Sequence, residues 1–219
     1  METLEKIRKI REEKRKELDI RVNSQVGTKE KHILVCHGTG CTSSKSPKII
    51  AKLREILEEK KIQNVRVIQT GCFGLCAKGP IVIIRPDDTF YAMVTPDDCE
   101  EIIESHIISG KVVERLLCKD INGEKVQKLD ELTFYKKQKR IALKNCGKID
   151  PENIDEYIAF DGYKALEKVL LEMSPEEVIE TIDKSGLRGR GGAGFPTGKK
   201  WTLTKAASRK AKICGLQCR

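Results

Sequence analysis

Two close cysteine pairs constrain this chain more than any other feature. Cys36 and Cys41 are separated by four residues and Cys72 and Cys76 by three, with room between the pairs for one helix and one strand. Four thiols spaced in this way can meet at one metal centre, provided that the intervening chain returns to the edge of the fold it left. The spacing therefore bears on topology as well as chemistry.

The compartment follows from what surrounds the pairs. Met1-Glu-Thr-Leu-Glu-Lys-Ile-Arg lacks the apolar stretch of a secretory signal, and no run approaches the roughly 18 apolar residues of a membrane span. Nine cysteines without an export signal predict a cytoplasmic protein whose thiols stay reduced, where metal binding is favoured over a disulfide framework. No Cys-x-x-Cys occurs, which removes support for a thiol-disulfide enzyme.

The local patterns supply the required return. Residues 1–30 read as a polar helical extension, with Leu4, Ile7, Ile10 and Leu18 as an intermittent apolar stripe, suited to a partner-binding arm. His32–Cys36 and Val65–Thr70 read as strands, and Ile81–Ile84 with Phe90–Val94 as a hairpin around Pro86-Asp-Asp. Ser46 and Pro47 predict an N-cap and first helical position, followed by Ile49, Ile50, Leu53, Ile56 and Leu57 at helical spacing. Pro96 opens a further helix with Cys99, Ile102, Ile103, His106 and Ile107 on its apolar stripe. The order β-α-β-β-β-α describes an α/β domain over 31–118. A right-handed β-α-β crossover makes the first two strands parallel, so both cysteine loops leave the same sheet edge.

Four thiolates at that edge suit a [2Fe–2S] cluster or a structural zinc ion. Gly38, Gly40, Gly71, Gly74 and Gly79 permit the close backbone approach that either requires. Cys99 is expected in the core, Cys118 and Cys146 are isolated, and Cys214 with Cys218 lacks a second pair. His106 is expected to pack. His32 and His37 flank the first loop, where a solvated imidazole is the default reading.

Cys36-x4-Cys41 with Cys72-Phe-Gly-Leu-Cys76-Ala-Lys-Gly-Pro80 resembles the thioredoxin-like [2Fe–2S] ferredoxin domain. That domain occurs in the small flavoprotein-associated subunit of respiratory NADH dehydrogenase and at the front of related NAD(P)-reducing hydrogenase subunits. The resemblance implies a [2Fe–2S] cluster on Cys36, Cys41, Cys72 and Cys76.

Residues 119–140 are polar and lysine-rich and read as a linker. Helices are expected over 151–158 and 161–173, and another from Ser174, whose capping box with Glu177 precedes Val178, Ile179 and Ile182 and ends at Gly186. The run Gly189-Arg-Gly-Gly-Ala-Gly194 satisfies G-x-G-x-x-G, but a helix precedes it and no acid follows it, so a Rossmann site is excluded. A Walker loop is excluded as well, because Lys200 follows Gly198-Lys199. What remains is a loop of backbone donors flanked by Arg188, Arg190, Lys199 and Lys200, suited to phosphate, with Phe195 and Trp201 available to cover a planar ring.

Arg140–Glu152, Met173–Val178 and Ser185–Trp201 together resemble the start of the FMN- and NADH-binding flavoprotein subunit of the same enzymes. By that resemblance Gly189, Gly191 and Lys200 face FMN, and Gly192, Ala193 and Phe195 approach the nicotinamide dinucleotide. Residues 141–219 would then be a partial, mainly helical start of an FMN/NADH-binding domain. In that family the basic stretch leads into a strand and an acidic segment that completes the flavin pocket, whereas this chain reads Ala211-Lys-Ile-Cys-Gly-Leu-Gln-Cys-Arg219. The resemblance therefore implies an incomplete flavin and NAD(P)H site, a truncated product and no NADH dehydrogenase activity of its own. Its partners would be other subunits of an NADH dehydrogenase or hydrogenase complex.

Charge leaves one competing reading. Ten Lys/Arg and no Asp or Glu lie between Lys184 and Arg219, leaving 32 bases against 33 acids elsewhere. A zinc-stabilised interaction module with a basic arm for nucleic acid is the alternative to an electron carrier, and the glycine run within the basic segment weighs against a merely solvated surface.

Overall fold

The computed structural model describes residues 2–22 and 29–207, which divide into two compact units, Met1–Gly162 and Tyr163–Arg219. Helix α1 (Glu2–Val22) precedes strand β1 (Lys31–Cys36) in the first unit. β1 is buried from His32 onward, so both of its faces must be covered. It pairs in parallel with β2 (Val65–Thr70) and antiparallel with β3 (Val82–Arg85), which pairs in turn with β4 (Thr89–Tyr91). The sheet order is β2-β1-β3-β4.

The period-2 alternation of the strands divides the core. Ile33, Val35, Val82, Ile84 and Tyr91 face α3 (Ser46–Glu59) and the helix opened by α4 (Cys99–Glu101). Leu34, Cys36, Ile83 and Phe90 face the other way, among Cys41, Phe73, Cys118 and Leu132. The expected β-α-β-β-β-α order is therefore present, and the hairpin pairs Val82 with Tyr91 and Ile83 with Phe90.

Several local expectations are corrected. Lys45, at φ 72°, caps α3, and Ser46 is its first, buried residue. A short helix not foreseen, α2 (Thr39–Ser43), carries Cys41. The helix after Pro96 opens with a capping box between Thr95 and Asp98 and widens into a π-helix over Ile102–Ile108.

Residues 119–140 also differ from the linker reading. Strands β5 (Cys118–Lys119) and β6 (Lys125–Val126) pair, and α5 (Thr133–Lys136) follows. The Phe90 N–H donates to the Gln127 carbonyl at 2.7 Å, while Leu132 is buried against the second sheet face. The cause is that face itself: Leu34, Ile83 and Phe90 need apolar cover, and Val126, Leu129, Leu132 and Tyr135 supply it from among the lysines.

Helix α1 is docked within its own unit. Leu18 and Ile20 are buried, and α1 packs along α6 (Ile154–Ala159). Arg11 Nη2 donates to the Gly162 carbonyl at 3.2 Å, and Arg15 pairs with Asp161 at 3.1 Å.

The second unit contains α7 (Lys164–Glu172), α8 (Pro175–Lys184) and α9 (Thr197–Ala206). The Ser174–Glu177 capping box opens α8, and Gly186 at φ +67° follows its end, as expected from sequence. Gly198 lets α9 approach α8, since a Cβ there would lie 2.6 Å from Asp183 Cα. It is the only buried position among the described residues of this unit, and Leu170, Leu203 and Trp201 are exposed. No helix among the described residues is long and apolar enough to cross a membrane.

Candidate metal centre

The parallel register fixes where the cysteine loops begin. Cys36 and Thr70 are partners at the ends of β1 and β2, and the His37 N–H donates to the Thr70 carbonyl at 2.8 Å. Both loops leave the sheet at that edge. In the first loop, α2 brings Cys41 back over Cys36, and both are buried. In the second, Cys72 is half-buried, the Gly74 N–H donates to Cys72 Sγ at 3.3 Å, and Cys76 is exposed at the start of a single 3-10 turn.

The glycines show how tightly the loops meet. A Cβ on Gly38 would lie 2.8 Å from Cys72 Cβ, and one on Gly79 would lie 2.6 Å from Cys41 Sγ. A Cβ on Gly40 would stand 3.5 Å from Cys76 Sγ. Each loop thus presents bare backbone to a cysteine of the other.

The thiols feel one another electrostatically. Burial pushes Cys41 up to about 12, and a hydrogen bond with Cys36 adds to the shift, as do the charges of Cys36 and Cys72. Cys76 is also raised, first by the charge of Cys72 and then by its hydrogen bond. Cys36 thus sits with Cys41, Cys72 with Cys76, and each pair senses the other. Four thiolates cannot gather here without a compensating positive charge. The Nδ1 atom of His37, beside Cys36, is buried and has no hydrogen-bond partner among the described residues.

Other cysteines and histidines divide by environment. Cys99 lies in the core as expected, and burial raises its thiol to about 12. His106 is packed as expected, between Tyr91 Oη at 2.7 Å and Asp87 Oδ2 at 3.1 Å. His32 differs from the solvated reading: it is 0% exposed, its Nδ1 accepts from Arg21 Nε at 2.8 Å, and its Nε2 faces Glu30 at 3.1 Å. Cys118 is buried against the second sheet face. Cys146 is not isolated in space, because its sulfur lies 3.2 Å from where a Gly71 Cβ would be. Cys214 and Cys218 fall outside the described residues.

The glycine-rich run lies in the second unit. Gly189, Gly191, Gly192, Ala193, Phe195 and Lys200 are all exposed. The loop is a narrow hairpin: the Gly189 N–H donates to the Phe195 carbonyl at 2.9 Å, and Arg188 Nε donates to the Gly194 carbonyl at 2.7 Å. Arg188 therefore holds the loop together, whereas its charge beside the glycines suggests a phosphate contact. Gly191 and Gly192 face open space.

Sequence reasoning missed the residues packed around the second cysteine loop, among them Thr70, Tyr135 and Gly147. The one available signal was the close pair Cys146-Gly147, which has no meaning until the sheet edge is located.

Residues 22–106 match the family model described as thioredoxin-like [2Fe–2S] ferredoxin. A 2Fe–2S ferredoxin of Clostridium pasteurianum is 43% identical over 94 residues, covering 39% of this chain and 92% of the ferredoxin. The NADP-reducing hydrogenase subunit HndC of Solidesulfovibrio fructosivorans is 58% identical over 84 residues, covering 37% of this chain and 17% of that protein. An NADH-quinone oxidoreductase subunit of Aquifex aeolicus is 64% identical over 59 residues, covering 27% of this chain and 14% of that protein. The chain thus spans nearly all of a small ferredoxin and under a fifth of either large subunit. All four cysteines of the two loops lie within the matched residues, which favours an iron–sulfur cluster over zinc. The chain belongs to the thioredoxin-like [2Fe–2S] ferredoxin family.

Proposed function

We propose that Cys36, Cys41, Cys72 and Cys76 hold a [2Fe–2S] cluster, and that the chain relays electrons between NAD(P)H-linked flavin and other iron–sulfur centres. The observation that carries this reading is the mutual contact of the two cysteine loops at one sheet edge, with glycine wherever a Cβ would collide with a cysteine. Four cysteines on two touching loops are the number and kind of donor such a cluster takes, two to each iron, and among the described residues no group of three or more His, Cys, Asp or Glu side chains is placed to hold a single metal ion. When bound, the cluster supplies one-electron chemistry. The protein buries Cys36 and Cys41, keeps bulk away through Gly38 and Gly79, and leaves the Cys76 side exposed towards a partner.

HndC and the Aquifex aeolicus relative are each named as part of a larger hydrogenase or NADH-quinone oxidoreductase. Membership of an assembly of that kind is our reading for this chain. Within it, the 189–196 hairpin and the first turn of α9 are the segment that meets FMN and NAD(P)H. Gly191 and Gly192 face open space, so a phosphate can reach their backbone, and Lys200 is exposed nearby in sequence.

Iron, acid-labile sulfide and zinc measured on anaerobically purified protein test the cluster assignment. Iron and sulfide in equal amounts, with an EPR signal on reduction, are expected. Zinc without sulfide overturns the assignment.

A further inference from the structure

Residues 133–150 lie beyond the family match, yet they grip the second cysteine loop. Thr70 ends β2, two residues before Cys72. Its hydroxyl donates to the Ile149 carbonyl at 2.9 Å and accepts from the Gly147 N–H at 3.1 Å. The Tyr135 hydroxyl donates to the Phe73 carbonyl. Gly147, at φ +83°, presses so closely on the Phe73 ring that a Cβ would lie 2.2 Å from Cε1. The Cys146 sulfur covers Gly71. Cys72 is therefore bracketed: the residue before it is covered and the residue after it is held by two contacts.

The grip is itself anchored. Arg21 Nη1 donates to the Lys148 carbonyl at 3.2 Å, and the Asp150 N–H donates to Glu156 Oε2 at 2.7 Å. The Arg140 guanidinium stacks 5.1 Å from the centre of the Tyr135 ring and donates to the Cys146 carbonyl at 3.4 Å.

We propose that residues 135–149 form a clamp on the second cysteine loop, with Thr70 and Tyr135 as positioning residues that fix Cys72. This rests on the reading that Cys72 is a cluster ligand. Partners that orient a ligating side chain tune both retention of the metal group and its electronics, so the loop that carries Cys72 answers to a segment outside the ferredoxin domain.

Thr70→Val removes both hydroxyl contacts at nearly constant shape, Thr70→Ser keeps them, and Tyr135→Phe removes one hydrogen bond at a less buried position. In the full chain, Thr70→Val and Tyr135→Phe are expected to release iron to a chelator on the order of 10-fold faster, with a shifted midpoint potential and altered EPR line shape. Thr70→Ser is expected to behave as the wild type. Amide hydrogen exchange over residues 71–76 reads the clamp without any cluster, and both variants should exchange faster there. Unchanged exchange, release and potential in Tyr135→Phe, and in Thr70→Val if it folds by circular dichroism, overturn the proposal. A wild-type chain without iron or sulfide sinks the cluster assignment instead, while faster exchange in the variants would still support the clamp.

Discussion

Arg21 and Glu156 form a bidentate ion pair between α1 and α6, with Nη1–Oε2 at 2.7 Å and Nη2–Oε1 at 3.1 Å, both side chains nearly removed from solvent. Further hydrogen bonds surround the pair. Arg21 Nε donates to His32, its Nη1 also reaches the Lys148 carbonyl, and Glu156 accepts the Asp150 N–H. One arginine thus joins the first helix, the central strand and the segment that packs on the second cysteine loop.

Removing one member strands the other charge. Arg21→Ala is expected to destabilise the first unit by about 3–5 kcal/mol, because a buried carboxylate without a partner is far more costly than the pair is favourable. The double substitution Arg21→Met with Glu156→Leu should cost less than either single change, since no buried charge remains. Urea unfolding of the four proteins in a double-mutant cycle checks this, and additive losses would contradict it.

Gly79 separates steric demand from backbone demand. Its φ of −75° and ψ of 162° are ordinary for any residue, so only the 2.6 Å approach to Cys41 Sγ opposes a side chain. Gly79→Ala should cost about 1–3 kcal/mol through overpacking, and it should displace Cys41. The expected result is a folded chain with reduced iron and sulfide content. Full cluster content in that variant would show that the loop can yield.

The ferredoxin domain was legible because its signals are local. Short apolar runs at the strands, helical spacing from Ile49 to Leu57 and paired cysteines each specify an element within a few residues. Residues 119–140 were not legible, because four apolar positions among lysines carry no period. Only the uncovered face of Leu34, Ile83 and Phe90 gives them a role. The burial of His32 against Arg21 was not legible for a related reason. Buried charge is legible only when its partner is known, and Glu156 lies 135 residues away from Arg21. The second unit's caps were legible, as were the exposed glycines of its hairpin, because both are local signals.

Leu132 tests whether the lysine-rich stretch belongs to the fold. It is 4% exposed and packs against the second sheet face. Leu132→Ala is expected to cost about 2–4 kcal/mol through lost burial and the cavity left behind. A free linker would give almost no change in a thermal or urea melt.

Stability should also fall in mildly acidic solution, earlier than carboxylates alone would dictate. Burial lowers the His32 pKa, and the Arg21 charge lowers it further against the pull of Glu30. Burial likewise lowers His106, with Asp87 opposing and Lys31 assisting. Both histidines are thus neutral in the fold, and the unfolded chain takes up their protons first. Folded pKa values below the unfolded ones mean that this stability is fully present above about pH 6.5 and is lost as pH falls through the folded values. Each histidine can contribute a slope of about 1.4 kcal/mol per pH unit inside that window. The carboxylates act lower. Burial tends to raise Asp98, but Thr95 and Arg115 outweigh it, so the pKa ends below normal and its contribution is full above about pH 4 and is lost as pH falls below that. Urea unfolding between pH 7.5 and 5 should therefore show a decline, and His106→Gln should make it shallower. An identical slope in that variant would remove His106 as a source.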